Sequence, residues 1–318
     1  MDKITEYEFA VYTPQYRQRW EEFLTRSRNA TFLFSRDYME YHADRFADNS
    51  LIALRKGKPA ALLPATLSPD GTLSSHAGLT YGGWILPRTH LDGAMLLTLF
   101  SEWLDFCRKQ GYRRILYKPL PDIYAIAPSQ EDRYALWRCG FTQCAVNLSS
   151  AIDLRQPWKF NMSKRQQLRR AMNRDVQIGP SSDWDGFWHV LERCLEERHE
   201  ASPVHSLAEI SALASRFPDN IRLYTLSDAD GLQAGVCLYD TGIVVHSQYA
   251  ATTPAARDNC YLTLLYHHIL TEGCRERRYF DFGTSNERGG TVLNAGLLNQ
   301  KFSMGATGVI YPIFSIDL

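Results

Sequence analysis

Apolar residues recur at three- and four-residue spacing along residues 15–28, which sets Trp20, Phe23 and Leu24 on one face of a predicted helix. A second helix is predicted over residues 35–46, with Ser35 as its N-cap. The period then shortens. Residues 50–57, 59–68 and 72–86 read as strands, and Asp70-Gly71 marks a hairpin between the last two. A long amphipathic helix follows over residues 91–109 and ends at Gly111. A strand over 113–121, a helix over 129–138, Gly140 and a strand into Ile152 close the first half. The second half runs in the same order. It has a strand over 175–181, helices over 184–198 and 206–216, three strands over 220–252, a long helix over 259–275, a strand over 277–283 and a helix over 293–304.

The offset between the halves is nearly constant. Arg114 and Arg278 lie 164 residues apart, Gly140 and Gly305 lie 165 apart, Trp20 and Trp188 lie 168 apart, and His76 and His246 lie 170 apart. This register points to a duplicated β-α-α-β-β-β-α-β-α-β unit, with domains at 1–152 and 153–318. A basic segment over 159–174 links them, and Ser163 is placed to cap its helix. From Arg155 to Arg174 seven basic residues pass before the next acid, Asp175. Such a run is either a solvated face or an anion-binding arm.

The 318 residues are 45% hydrophobic and 22% charged with net charge zero, a composition that needs no metal or disulfide staple. Seven cysteines without a C-x-x-C pair read as reduced, mostly buried thiols of a cytoplasmic protein. The N-terminus lacks a signal-peptide pattern, and no run of apolar residues is long enough to span a membrane. A neutral balance gives no global nucleic-acid footprint, so DNA is not an expected partner.

Several motifs fail on inspection. Asp281-Phe282-Gly283 stands without the other kinase motifs. His199 and His205 are six residues apart across Pro203, and the adjacent His267 and His268 diverge by ~100° on a helix, so no metal site is expected. The polar strand ends are better candidates. His246 and Gln248 fall on one side of their strand by alternation, as do Tyr279 and Asp281. An aspartate within an apolar strand is either a buried anchor or a general base with a raised pKa. The loop after it carries Gly283, Ser285, Asn286, Gly289, Gly290, Asn294 and Gly296, whose backbone donors would line a cleft, and Lys301 would bring a positive charge to a phosphate or oxyanion. His205, just before a helix capped by Ser206, is either catalytic or part of the cap. In the first half, Tyr81-Gly82-Gly83 would let a substrate approach the backbone, and prolines around Lys118 fix the strand exit near Tyr124.

The element order, taken twice and closed by Lys301-Phe302-Ser303-Met304-Gly305, resembles the Fem-type branch of the GNAT acyltransferase superfamily over the whole chain. The resemblance implies an α+β fold of two tandem GNAT-like domains, each a mixed sheet flanked by helices. It also implies transfer of an acetyl or aminoacyl group to an amine or hydroxyl of a cell-envelope sugar or peptidoglycan precursor. In the Fem-type enzymes a lysine at the place of Lys301 contacts the acyl donor or the acceptor phosphates. In those enzymes the first domain holds a nucleotide-linked acceptor, and the resemblance implies that Lys118 and Tyr81 sit where its phosphates and sugar pack. Where related enzymes wrap coenzyme A with a glycine-rich turn, this chain reads Arg257, Asn259 and Cys260. Acyl-CoA is thus a candidate co-substrate without a tightly bound cofactor. A charged tRNA, met by the basic segment, is the alternative donor, and a binding protein that has lost catalysis is the rival class.

Overall fold

The computed structural model describes residues 5–89, 91–199 and 203–318. The chain forms two compact units: Met1–Asn147 with Gly289–Thr291 and Ile310–Leu318, and Leu148–Arg288 with Val292–Val309. The first runs β1 (Glu8–Val11), α1 (Arg17–Thr25), α2 (Arg36–Met39), β2 (Leu51–Arg55), β3 (Lys58–Leu63), β4 (Thr66–Leu67), β5 (Thr72–Ser74), α3 (Gly93–Lys109), β6 (Arg114–Tyr117), α4 (Glu131–Arg138) and β7 (Thr142–Asp153). The second runs α5 (Met162–Met172), β8 (Gln177–Ser181), α6 (Trp184–His199), α7 (Leu207–Arg216), β9 (Ile221–Asp228), β10 (Gly231–Asp240), β11 (Val244–Thr252), α8 (Pro254–Asp258), α9 (Tyr261–His268), β12 (Tyr279–Thr284), β13 (Asn286–Glu287), β14 (Val292–Leu293), α10 (Ala295–Ser303) and β15 (Thr307–Asp317). Strands β7 and β15 each begin in one unit and end in the other.

In the first unit β1, β2 and β3 form one antiparallel sheet. Strand β4 pairs antiparallel with β5, β5 parallel with β6, and β6 antiparallel with the end of β15. Helix α3 starts where Asp92 accepts the Met95 N–H at 2.9 Å, and its Leu96, Leu99, Phe100 and Trp103 fill the core of this unit. Each such side chain contributes roughly 1.5–3 kcal/mol by leaving water. The second unit orders its strands β7-β12-β11-β10-β9-β8, with only β11 and β12 parallel. One face packs against α9, where Val236, Leu238 and Val245 meet Leu264 and Leu265.

The duplication is visible in the element order, and Trp20 and Trp188 are both buried on matching helices. The histidines are not counterparts. Ser74 pairs with Leu116 in the first parallel ladder and Val245 with Phe280 in the second. On the 164-residue offset of the neighbouring strands, Ser75 rather than His76 answers His246. A slip of one residue changes the face of a strand.

Three expected elements differ. The run 72–86 forms a ladder only over Thr72–Ser74, because His76 (φ 63°) and Gly83 (φ 81°) turn the chain out of extended backbone. The helix expected over 35–46 is two short pieces, α2 and a 3-10 turn Glu40–His42, and Ser35 makes no side-chain cap bond. The helix expected over 259–275 begins only at Tyr261, after Cys260 at φ 60°, and ends in a π-turn over Ile269–Gly273. Helix α5 is capped by Asn161, not Ser163: Asn161 Oδ1 accepts the Lys164 N–H at 2.9 Å. Of the seven thiols only Cys107, Cys237 and Cys274 are buried, and Cys144 is exposed.

Candidate functional site

Strands β11 and β12 set His246 directly across from Asp281. Asp281 is completely buried, and a carboxylate in that position must be held by hydrogen bonds. Ser149 Oγ donates to its Oδ1 at 2.6 Å and the Gly283 N–H at 3.0 Å, while Oδ2 lies 2.9 Å from His246 Nδ1. With the proton on Nδ1, His246 donates to Asp281 and keeps Nε2 as an acceptor. Gly283 adopts φ 79°, and a Cβ there would stand 3.2 Å from His246 Cε1, so glycine is required beside the ring.

Lys301 reaches the same glycine from α10. Its Nζ donates to the carbonyls of Gly283 at 2.8 Å and Thr284 at 2.7 Å. Burial pulls its pKa from 10.5 down to about 8, against the opposing attraction of Asp281. His246, Asp281 and Lys301 therefore gather around Gly283.

Strict alternation from His246 does not carry through to Gln248. The β10–β11 register shifts so that Leu238 faces Ser247 and Cys237 faces Tyr249, and Gln248 is the extra residue of a bulge. Ser247 meets the Tyr266 hydroxyl of α9 at 2.9 Å, whereas Tyr249 packs on Trp188 of α6. The Tyr249 hydroxyl lies 2.6 Å from His205 Nδ1, and His205 is buried. The cap of α7 belongs to Ser206 and Glu209, which form a capping box, so His205 is not the cap.

The loop after β12 is built by its own polar side chains. Asn286 Oδ1 accepts the Leu148 N–H. Asn294 Oδ1 caps α10 at the Leu297 N–H, and its Nδ2 donates to Glu287 at 2.7 Å. Ser285 is buried, its backbone joined to Leu148 and Asn294. Asn286 and Asn294 fix the loop with their side chains, whereas the Ser285 Oγ is buried without a hydrogen-bond partner.

The second unit also holds a cavity of about 480 Å³. Thr252 at the end of β11, Arg257 and Cys260 at the α8–α9 junction, Lys164 of α5, and Gln300 and Ser303 of α10 line it. Its two cations face no carboxylate in the lining. Lys164 Nζ donates to Gln167 at 2.9 Å and approaches Thr263 Oγ1 at 3.4 Å, and burial lowers its pKa. Arg257 keeps a 3.4 Å contact with Glu197. Cys260 holds the left-handed backbone that glycine favours. Asn259 is not in the lining. Gln167, Thr263, Gln300 and Ser303 were not singled out as site residues from the sequence, and Lys164 only as one of the seven basic residues of the linking segment. A signal for Lys164 exists: it is the one cation on the helix face shared with Leu168 and Ala171 at i+4 and i+7.

In the first unit, Tyr81 and Tyr124 are buried against each other with ring centroids 4.7 Å apart. The Tyr124 hydroxyl meets that of Tyr311 at 3.4 Å. A Cβ on Gly82 would lie 2.2 Å from the Ser75 carbonyl oxygen, so the group approaching this glycine is the protein's own backbone and not a substrate. Lys118 Nζ donates to the Leu79 carbonyl, and burial pulls its pKa to about 8.

Residues 162–288 match the family described as Acetyltransferase (GNAT) domain. No curated protein sequence matches the chain with significance. Among solved structures, FemX superposes with a TM-score of 0.69 at 11% identity, covering 98% of this chain and 97% of FemX. The C-terminal domain of a proposed lysylphosphatidylglycerol synthetase from Agrobacterium fabrum gives 0.61 at 12%, covering 95% and 91%. A tandem GNAT protein from the clavulanic acid biosynthesis pathway gives 0.53 at 12%, covering 98% of both chains. The chain has the Fem-like GNAT fold, and the match to the GNAT acetyltransferase domain family falls within its second unit.

Proposed function

We propose that this Fem-like GNAT protein is an acyltransferase that moves an acetyl or aminoacyl group to an amine or hydroxyl of a cell-envelope sugar or peptidoglycan precursor. The observation that carries the reading is the His246–Asp281 pair standing beside Lys301 around Gly283. Acyl transfer requires a base for the acceptor's proton and a positive or hydrogen-bonding group where charge develops. His246 Nε2 takes the proton of the attacking group. Asp281, buried and fully engaged, positions the ring and steadies the imidazolium. The Lys301 ammonium spends two N–H groups on carbonyls and has a third for the donor carbonyl or a phosphate. The cavity with Lys164 and Arg257 receives the anionic part of the donor, and the left-handed Cys260 shapes its floor.

A second reading replaces acyl-CoA by a charged tRNA. It is favoured by Arg165, Arg169 and Arg170, which are exposed on α5 with no carboxylate partner among the described residues. The similarity to FemX and to the lysylphosphatidylglycerol synthetase domain concerns the fold and is compatible with both donors.

Thermal unfolding with acetyl-CoA, longer acyl-CoAs, charged tRNA and nucleotide-linked sugars, followed by a transfer assay, separates these readings. A donor at 100 times its Kd adds about 2.7 kcal/mol of stability. A shift with one donor class, together with transfer that His246→Gln abolishes, supports catalysis and names the donor. A shift without transfer in any combination leaves a binding protein. Salt-insensitive tRNA binding, or binding unchanged by Arg165→Ala with Arg169→Ala, sinks the second reading.

A further inference from the structure

The first unit contains a cavity of about 360 Å³, at the lower end of the size range of small-molecule sites. It lies at the start of α3, bordered by the β2–β3 hairpin and the end of α1. Four cations line it: Arg26, Arg55, Lys58 and Arg88. No acid is in the lining. The carboxylates whose charges reach Tyr7 in its wall are Glu6, Glu102 and Asp92. Glu6 pairs with Arg55, Glu102 accepts the backbone N–H groups of Glu6 and Tyr7, and Asp92 caps α3 at the Met95 N–H. Arg26 and Lys58 have no ion-pair partner among the described residues, and Arg88 spends only Nε on the Ser27 carbonyl at 3.4 Å. The Arg55 Nε–H is buried without a hydrogen-bond partner. The rest of the wall is apolar, with Phe23, Leu91 and Met95 among it.

We propose that this cavity binds a small amphiphilic anion, with its carboxylate or phosphate monoester among Arg26, Lys58 and Arg88 and its apolar body against Phe23, Leu91 and Met95. Two features set the ligand class. Cations on an apolar floor recognise a charged head carried on a hydrophobic stem, since charge-assisted hydrogen bonds hold the head and burial holds the stem. The N-terminus of α3 is already taken by Asp92, so the site is not a helix-start cradle for a pyrophosphate and differs from the cavity of the second unit. The inference is independent of the acyl-transfer reading, because it concerns residues that take no part in that chemistry.

The test is isothermal titration calorimetry of the full chain with decanoate and with decyl phosphate below their micelle concentrations. Decanol, acetate and inorganic phosphate are the controls. One anionic amphiphile or both should bind, with a negative heat-capacity change, and the controls should bind far more weakly. Lys58→Ala and Arg88→Ala, both at exposed positions, should each weaken binding by about tenfold or more, the scale of one charged hydrogen bond. Binding of decanoate alone assigns the site to carboxylates, and of decyl phosphate alone to phosphate monoesters. The proposal is overturned by equal binding of decanol, by equal binding of the bare anions, by affinity indifferent to both substitutions, or by no binding of either amphiphile.

Discussion

Replacing Lys301 by Met keeps most of the side chain's volume and removes its charge and its donors. In the native protein the group sits at a pKa of about 8 instead of 10.5, chiefly because it is withdrawn from water. That displacement corresponds to about 3 kcal/mol of stability at pH 7. The sign follows from proton counts. Between pH 8 and pH 10.5 the folded protein has released this proton and the unfolded chain has kept it, so stability rises with pH through that window and the deficit is fully present below pH 8. Against this, the Gly283 and Thr284 carbonyls lose their partner in the variant, at roughly 1–3 kcal/mol each where they are buried. Lys301→Met is therefore expected to fold, with a change of at most a few kcal/mol at pH 7. Urea unfolding at pH 7, 8, 9 and 10 should show the wild-type chain gaining about 3 kcal/mol on the variant. Transfer activity should move the other way, falling above pH 8 as the ammonium is lost, and be absent in the variant. Parallel stability curves would refute the burial argument. A variant that transfers at the wild-type rate would make Lys301 a strand-end cap and nothing more.

Burial raises the carboxyl of Asp132 to about 6, beside the Tyr117 hydroxyl at 3.2 Å. The folded state then holds this proton where the unfolded chain has lost it, so stability falls by about 3 kcal/mol as pH rises from below 3 to above 7, about 2 kcal/mol of it between pH 4 and pH 6. Subtracting the urea-unfolding profile of Asp132→Asn from that of the wild type should isolate this term. Gly82→Ala should lower Tm, costing 1–3 kcal/mol or more, because its Cβ would stand 2.2 Å from a carbonyl that cannot retreat freely: the Ser75 N–H is bonded to Leu116. An unchanged Tm would disprove the close approach. Cys260→Val puts a β-branched residue at φ 60° and should cost about 1–2 kcal/mol and weaken donor binding, whereas Cys260→Gly should do neither. Calorimetric affinities of both variants for the donor check it.

The parts of the fold legible in the sequence are those where local chemistry and burial agree. The face of α3 and the glycine turns at Gly140 and Gly305, both at positive φ, stand where pattern and turn chemistry placed them. The turns of 75–86 were not legible, because an apolar run reads alike whether it is laddered or folded back on itself, and the deciding contact is Gly82 against Ser75. Likewise nothing local announces that Cys260 adopts a glycine's backbone. In the site, period-two alternation holds between Tyr279 and Asp281 but has no force across Gln248, since a bulge changes the count in one strand without a mark in its composition. The loop asparagines looked like ligands because capping and recognition use the same side chains.

The exchange of strand ends gives the repeat a history and an order of assembly. Phe314, Ser315, Ile316 and Asp317 pair with Tyr117, Leu116, Ile115 and Arg114, so the first unit is completed by residues made only after the whole of the second. A nascent chain released only as far as Asn147 exposes β6 along one edge, and an open edge of that kind invites association with other chains. Cutting the chain at the midpoint of the duplication would leave the first copy one strand short, and deleting Ile310–Leu318 would strip β6, about two hundred residues earlier in the chain, of its β15 partner.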